Sequence, residues 1–161
     1  MEKRTFQADA KQVLRLVTHS IYSDRSIFLR ELLSNASDAM DKSRILSLKG
    51  EEISRPEEPK ITVEFSEEDK TITITDSGIG MNEEEITENL GTIAQSGTKA
   101  FAEKLEEGED LNNLIGQFGV GFYSAFMVAD KVEVESKSAH AGSKAIKWVS
   151  DGSDSYEIGE G

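Results

Sequence analysis

The stretch E-L-L-S-N-A-S-D-A-M-D, Glu31 to Asp41, is the segment around which the chain is organised. As a helix it sets Glu31 and Asn35 four residues apart, with Asp38 and Ala39 three and four further on, so these side chains line one face. A face turned to a core is apolar, but Leu32, Leu33 and Met40 fall elsewhere on the circumference, leaving a carboxylate above a carboxamide. A carboxylate takes a proton from water, and an amide oxygen coordinates a hard divalent cation such as Mg²⁺. An ordinary solvated face has the same composition, so the functional reading depends on the rest of the chain.

Outward from this segment, Ser23 or Asp24 caps a long helix that runs to about Leu48, with Gly50 as its stop. Before it, Val13, Leu14, Leu16, Val17 and Ile21 recur at helical spacing between Asp9 and Tyr22, where His19 has no metal-ligand partner and reads as structural. Residues 1–8 are an arm or a strand. After Gly50, Glu51 to Pro59 holds both prolines and reads as a surface loop. Ile61, Val63 and Phe65, then Ile72 and Ile74, alternate with polar residues, predicting a hairpin with one buried face. It ends on D-S-G-I-G-M, Asp76 to Met81, and Asn82 with Glu85 matches a capping box that opens a short helix to about Leu90.

Gly91 to Ile115 combines G-T-I-A-Q-S-G-T, a helical piece from Lys99 to Leu105 and a polar loop, which predicts a movable cover. G-Q-F-G-V-G-F, Gly116 to Phe122, follows and leads into an apolar helix, Tyr123 to Val128. Val132 with Val134, Ile146 with Trp148, and Tyr156 with Ile158 mark further strands, and Trp148 reads as core. Interleaved helices and strands predict one layered α+β domain.

Composition narrows the function classes. The 161 residues suit one domain, and 37% hydrophobic with 30% charged residues argues against general disorder. A net charge of −13 argues against binding a nucleic-acid backbone, and short acidic runs such as Glu83 to Glu85 read as solvated surface. No apolar run approaches a membrane span, and the N-terminus lacks the core of a secretory signal, so the expectation is a soluble cytoplasmic protein, or an organellar one if a targeting peptide has been removed. Zero cysteines exclude disulfides, thiolate metal sites and cysteine nucleophiles.

D-x-G-x-G at a strand end is equally a turn, whereas G-x-x-G-x-G before a helix lets phosphate oxygens approach backbone N–H groups. In the order polar helix face, acidic strand end, cover and glycine loop, the pieces can hold a nucleotide from base to terminal phosphate. Asp76 suits the exocyclic amine of adenine; Gly80 leaves room for the ring, with Met81 beside it. Asn35 suits Mg²⁺ bridging the phosphates, and Glu31 suits the attacking water. There is no G-x-x-x-x-G-K-[ST] phosphate loop.

The stretches Y-S-D-R-S-I-F-L-R-E-L-L-S-N-A-S-D-A, D-S-G-I-G-M, N-L-G-T-I-A-Q-S-G-T-K-A-F and I-G-Q-F-G-V-G-F-Y-S-A-F-M-V-A-D-K-V resemble the N-terminal ATPase domain of the ninety-kilodalton heat-shock protein family, over about Phe6 to Val134. The resemblance implies the Bergerat fold of the gyrase, chaperone, histidine kinase and MutL superfamily: a two-layer α+β sandwich whose mixed sheet is covered on one face by helices. It implies a nucleotide-binding domain over residues 1–161, with an ATP lid over 91–115, that binds and hydrolyses ATP for a molecular chaperone. Turnover by the fragment alone is expected to be weak or absent. It makes Glu31 the catalytic base and Asn35 the Mg²⁺ carrier. Ala39, Asp76, Gly80, Met81, Asn89, Gln95 and Phe122 fall on nucleotide-contacting positions, and Gly119, Val120 and Gly121 on those that meet the terminal phosphate. It implies ATP or ADP and Mg²⁺ as cofactors, client proteins and a homodimer in the longer protein, and an N-terminal arm exchanged between subunits. Two departures stand out: Gln95 replaces a lysine common in relatives, and the family's domain continues past Gly161 into a strand with a glycine-threonine pair. A nucleotide switch without hydrolysis, or a kinase or DNA-repair ATPase of the same superfamily, are the other readings.

Overall fold

A computed structural model describes residues 1–6, 26–91, 121–153 and 155–161. The elements in order are strand β1 (Glu2–Thr5), helix α1 (Ile27–Leu48), strands β2 (Ile61–Ser66) and β3 (Thr71–Asp76), and helix α2 (Glu83–Gly91). A 3₁₀ helix (Gly121–Met127) and strands β4 (Val132–Ser136), β5 (Ile146–Ser150) and β6 (Ser155–Glu160) complete them. The expected helix over 9–22, its His19, the cap at Ser23 or Asp24 and the cover over 92–115 lie outside the described residues.

Both described α-helices end where local chemistry says they should. At the close of α1, Gly50 adopts φ +89, its N–H donates to the Ser47 carbonyl and the Glu51 N–H to the Leu46 carbonyl, each at 3.1 Å. These two bonds are the crossed pair of a Schellman motif, in which a glycine enters the left-handed region without penalty. At the start of α2, the Glu85 N–H donates to Asn82 Oδ1 at 2.8 Å and the Asn82 N–H to Glu85 Oε1 at 3.1 Å. The capping box is therefore closed in both directions.

The strands form a four-stranded sheet in the order β1-β6-β5-β4 and a separate β2-β3 hairpin, and every pairing among the described residues is antiparallel. In the larger sheet Val134 lies opposite Trp148, and Trp148 opposite Ile158. Residues two apart share a face, so Ile146, Trp148 and Ser150 all turn inward and are buried. Over that face sit Ile27 of α1, Ile86 and Leu90 of α2, and Tyr123, Phe126 and Met127 of the 3₁₀ helix. The result is the α+β arrangement of one sheet layer and one helical layer. Trp148 is its centre, fully buried, stacked on Tyr156 at 5.6 Å and met edge-on by Phe122 at 5.4 Å.

Residues 2–5 resolve as a strand rather than a loose arm, paired with β6 of the same chain and followed by buried Phe6. Arg4 reaches across to α2, donating to Thr87 Oγ1 at 2.9 Å and Glu83 Oε1 at 3.1 Å. The hairpin departs from expectation. Its alternating apolar residues do not form a buried face: Val63 and Ile74 are half-buried, but Ile61 and Ile72 are exposed and Phe65 is 72% exposed. Alternation shows that one face is apolar; which element covers it is a tertiary matter.

Tyr123 donates its hydroxyl proton to the Leu90 carbonyl at 2.8 Å, tying the 3₁₀ helix to α2. Burial first, and the neighbouring Tyr156 second, push its phenol well above the usual tyrosine range. A raised pKa means the folded state holds this proton more tightly, so its contribution is intact below the unfolded value of about 10 and is lost as pH rises beyond it. Urea denaturation between pH 8 and 11 therefore shows a steeper alkaline loss of stability in the parent chain than in Tyr123→Phe; parallel curves would contradict the assignment.

Candidate functional site

Helix α1 carries the polar face that its sequence foretells. Glu31 is half-buried, Asn35 is exposed and Ala39 is half-buried, at successive i, i+4, i+8 positions. At 1.5 Å per residue this face spans about 12 Å, the scale of a nucleotide laid out from base to phosphates.

Each end of the face meets a glycine. At the Glu31 end stands Gly121, where a Cβ would come within 2.5 Å of Glu31 Oε2 and 3.0 Å of its Cβ. Gly121 is buried, and the Ser124 hydroxyl donates to its carbonyl, holding the first turn of the 3₁₀ helix against the carboxylate. At the Ala39 end lies the 76–81 loop. A Cβ on Gly78 would sit 2.6 Å from the carbonyl carbon and the Cβ of Ala39, and the Ile79 N–H donates to the Ala39 carbonyl at 3.0 Å.

Asp76 closes β3 with its side chain exposed, and Oδ1 accepts the Gly78 N–H at 2.8 Å. That bond fixes the carboxylate at the loop's entrance, and an ionised carboxylate retains further acceptor capacity for an amine. Gly80 has φ +66, and a Cβ there would overlap the Lys137 carbonyl, so the position requires glycine on both counts. Met81 is half-buried, donates its N–H to Ser136 Oγ at 2.9 Å, and its sulfur accepts the Asn89 amide at 3.6 Å. Met81 and Phe122 also pack on the hydrophobic core.

The structure thus aligns Glu31, Asn35 and Ala39 on α1, sets Gly121 of the 3₁₀ helix against Glu31, and joins the 76–81 loop to Ala39 through Gly78 and Ile79, with Asn89 of α2 on Met81. Gln95, Gly119 and Val120 lie outside the described residues. The sequence reading missed Gly78 as a contact residue and missed residues 136–139 as the loop's support; Ser136 and Met81 are 55 residues apart, and nothing local announces their contact.

A family model described as the histidine kinase-, DNA gyrase B-, and HSP90-like ATPase matches residues 22–155. The chain belongs to this ATPase family. It is 51% identical over 163 residues to the chaperone protein HtpG of Desulfitobacterium hafniense, covering 99% of this chain and 26% of the relative. It is 55% identical over 160 residues to that of Helicobacter hepaticus, covering 98% and 26%. HtpG of Wolinella succinogenes is 52% identical over 160 residues, again covering 98% and 26%. The chain spans about a quarter of the length of these curated relatives.

The close approach of Gly78 to α1 makes a specific demand. Gly78→Ala forces backbone apart and costs on the order of 2 kcal/mol or more. Gly142, at φ +80 with nothing within 4 Å of its Cβ position, bears only the backbone penalty of about 1 kcal/mol on the same change. Chemical denaturation of both variants checks the order; equal losses would mean that the loop does not press on the helix.

Proposed function

We propose that this chain is the nucleotide-binding domain of an ATP-hydrolysing chaperone, with its site along the Glu31 face of α1. The observation that carries the proposal is the placement of an acid, an amide and two closely packed glycine segments along one 12-Å stretch of helix, about the length a bound nucleotide needs. Family membership supports ATP as the ligand, and the relatives' printed name supports chaperone work by the longer protein.

In this reading the purine lies at the Asp76 end. The carboxylate, oriented by the Gly78 N–H, accepts from the exocyclic amine, while Gly80, Met81 and Asn89 shape the wall around the ring and Ala39 forms its floor. Glu31, held against Gly121, accepts a proton from the water that attacks the terminal phosphate. Phe122 supports that end from the core side, and Gly119, Val120 and Gln95 belong to the phosphate end by resemblance.

Among the described residues no three His, Cys, Asp or Glu side chains cluster as a metal cage. The donor set fits Mg²⁺ nonetheless, because this ion keeps waters and substrate oxygens and asks the protein for only one or two ligands. The exposed Asn35 amide oxygen, one turn from Glu31, would hold it, and the ion would neutralise phosphate charge.

The proposal extends to residues 1–161 as one domain, to 91–115 as its lid, and to client proteins and a second copy as partners of the longer protein. In the structure β1 pairs with β6 of its own chain, the arrangement that any exchange of this strand between copies would start from. The proposal includes a cytoplasmic location for the longer protein, by resemblance; among the described residues no helix is long and apolar enough to cross a membrane.

Two substitutions divide the roles. Asp76→Asn turns an acceptor into a donor facing the amine and reduces Mg-ADP affinity at least about a hundredfold by calorimetry, the scale of a lost charged hydrogen bond plus an unpaired group. Glu31→Ala leaves that affinity within about threefold but abolishes phosphate release by the chain extended to the length of its relatives. Retained turnover in the second variant would remove Glu31 from the chemistry.

A further inference from the structure

A cavity of about 330 Å³ adjoins the Ala39 end of the α1 face through Gly78, and is walled by Ser54, Gly78, Lys137, Ser138, His140 and Ser143 together with small residues of the 139–142 turn. Glu31, Asn35 and Asp76 do not line it. Its wall offers hydroxyls, an ammonium group, an imidazole and backbone left accessible by alanine and glycine, and no carboxylate.

That composition is unusual for this chain. The net charge is −13, yet residues 136–150 contain three lysines and a histidine and not one acid. Lys131 and Lys147 are taken up by Glu133, at 3.0 and 3.9 Å. Lys137 has no ion pair among the described residues, so its charge is available to a ligand. The Ala139 N–H is committed to the Ile79 carbonyl and the His140 N–H to Ser138 Oγ, which leaves the turn amides of Ala141 and Gly142, beside a cation and several hydroxyls, as the kind of donor set a phosphate group recruits. The volume, at the small end of ligand pockets, has room for a phosphate carrying a few carbon atoms.

The hollow is also joined to α1. Ser54 N–H donates to the Ala139 carbonyl at 3.0 Å, Ala139 N–H to the Ile79 carbonyl at 2.8 Å, and Ile79 N–H to the Ala39 carbonyl at 3.0 Å. Three backbone hydrogen bonds therefore connect the cavity wall to the floor of the nucleotide face.

We propose that this cavity is a second, anion-selective site that binds a small phosphomonoester, its phosphate held by Lys137, the serine hydroxyls and the backbone amides of Ala141 and Gly142. The proposal goes beyond the nucleotide reading and stands without it.

The test is an NMR titration of the ¹⁵N-labelled chain with glycerol phosphate, inorganic phosphate and sodium chloride at matched ionic strength, following the amides of Ser54, Ala139 and Gly142. The expected result is saturable shifts with both phosphates, none with chloride, and about tenfold weaker binding in Lys137→Ala, whose side chain is exposed and whose loss leaves the remaining spectrum in place. The ranking of ester against inorganic phosphate names the physiological source, and either ranking supports the site. Shifts that match chloride, that persist unchanged in Lys137→Ala, or that fall only on Glu31 and Gly121 would overturn it. A failure of Mg-ADP to bind is read separately by calorimetry and leaves this outcome untouched.

Discussion

The molecule depends on a contact in which two backbones touch. Gly78 lies so close to α1 at Ala39 that no side chain fits between them, and the Ile79 N–H spends its hydrogen bond on an α1 carbonyl. The contact places the acidic end of β3 at a set height on the helix. The loop that Asp76 opens is therefore anchored at Ala39, eight residues along α1 from Glu31. It ties the strand end that carries Asp76 to the helix that carries Glu31.

The rest of the fold acts to hold those two elements still. The Schellman ending of α1 and the closed capping box of α2 set where each helix stops and starts. Tyr123 binds the 3₁₀ helix to the end of α2, and that helix presses Gly121 against Glu31. Phe122 and Met81, next in sequence to Gly121 and Gly80, pack on the Trp148 core, so the segments that carry these glycines are anchored to it. Such anchoring is how a site on short loops is held within the tolerances that chemistry requires.

What was legible in the sequence was legible because its cause is local. Gly50 ends α1 for reasons contained within six residues, and Asn82 and Glu85 cap each other across one turn. The polar stripe of Glu31, Asn35 and Ala39 follows from helical periodicity alone. The resemblance supplied Gly121 as a phosphate neighbour, but not its contact with Glu31. The buried face expected of the hairpin was not found, because alternation in Ile61, Val63 and Phe65 cannot say what lies above them. The support of residues 136–139 beneath the 76–81 loop was also hidden, since serine, lysine and alanine carry no mark of a partner 55 residues away. Helix type escaped too: an apolar run from Tyr123 predicts a helix but not that it winds as 3₁₀.

In the proposed function one nucleotide spans the α1 face, with its base at Ala39 and Asp76 and its phosphates at Glu31 and Gly121. A crystal structure of the chain grown with Mg-ADP tests this most directly. The account predicts the purine amine within hydrogen-bond distance of Asp76, and the metal on the Asn35 oxygen with the phosphates directed toward Gly121. A nucleotide bound in the reverse direction, or seated on another surface with the Glu31 face filled by solvent, would contradict it.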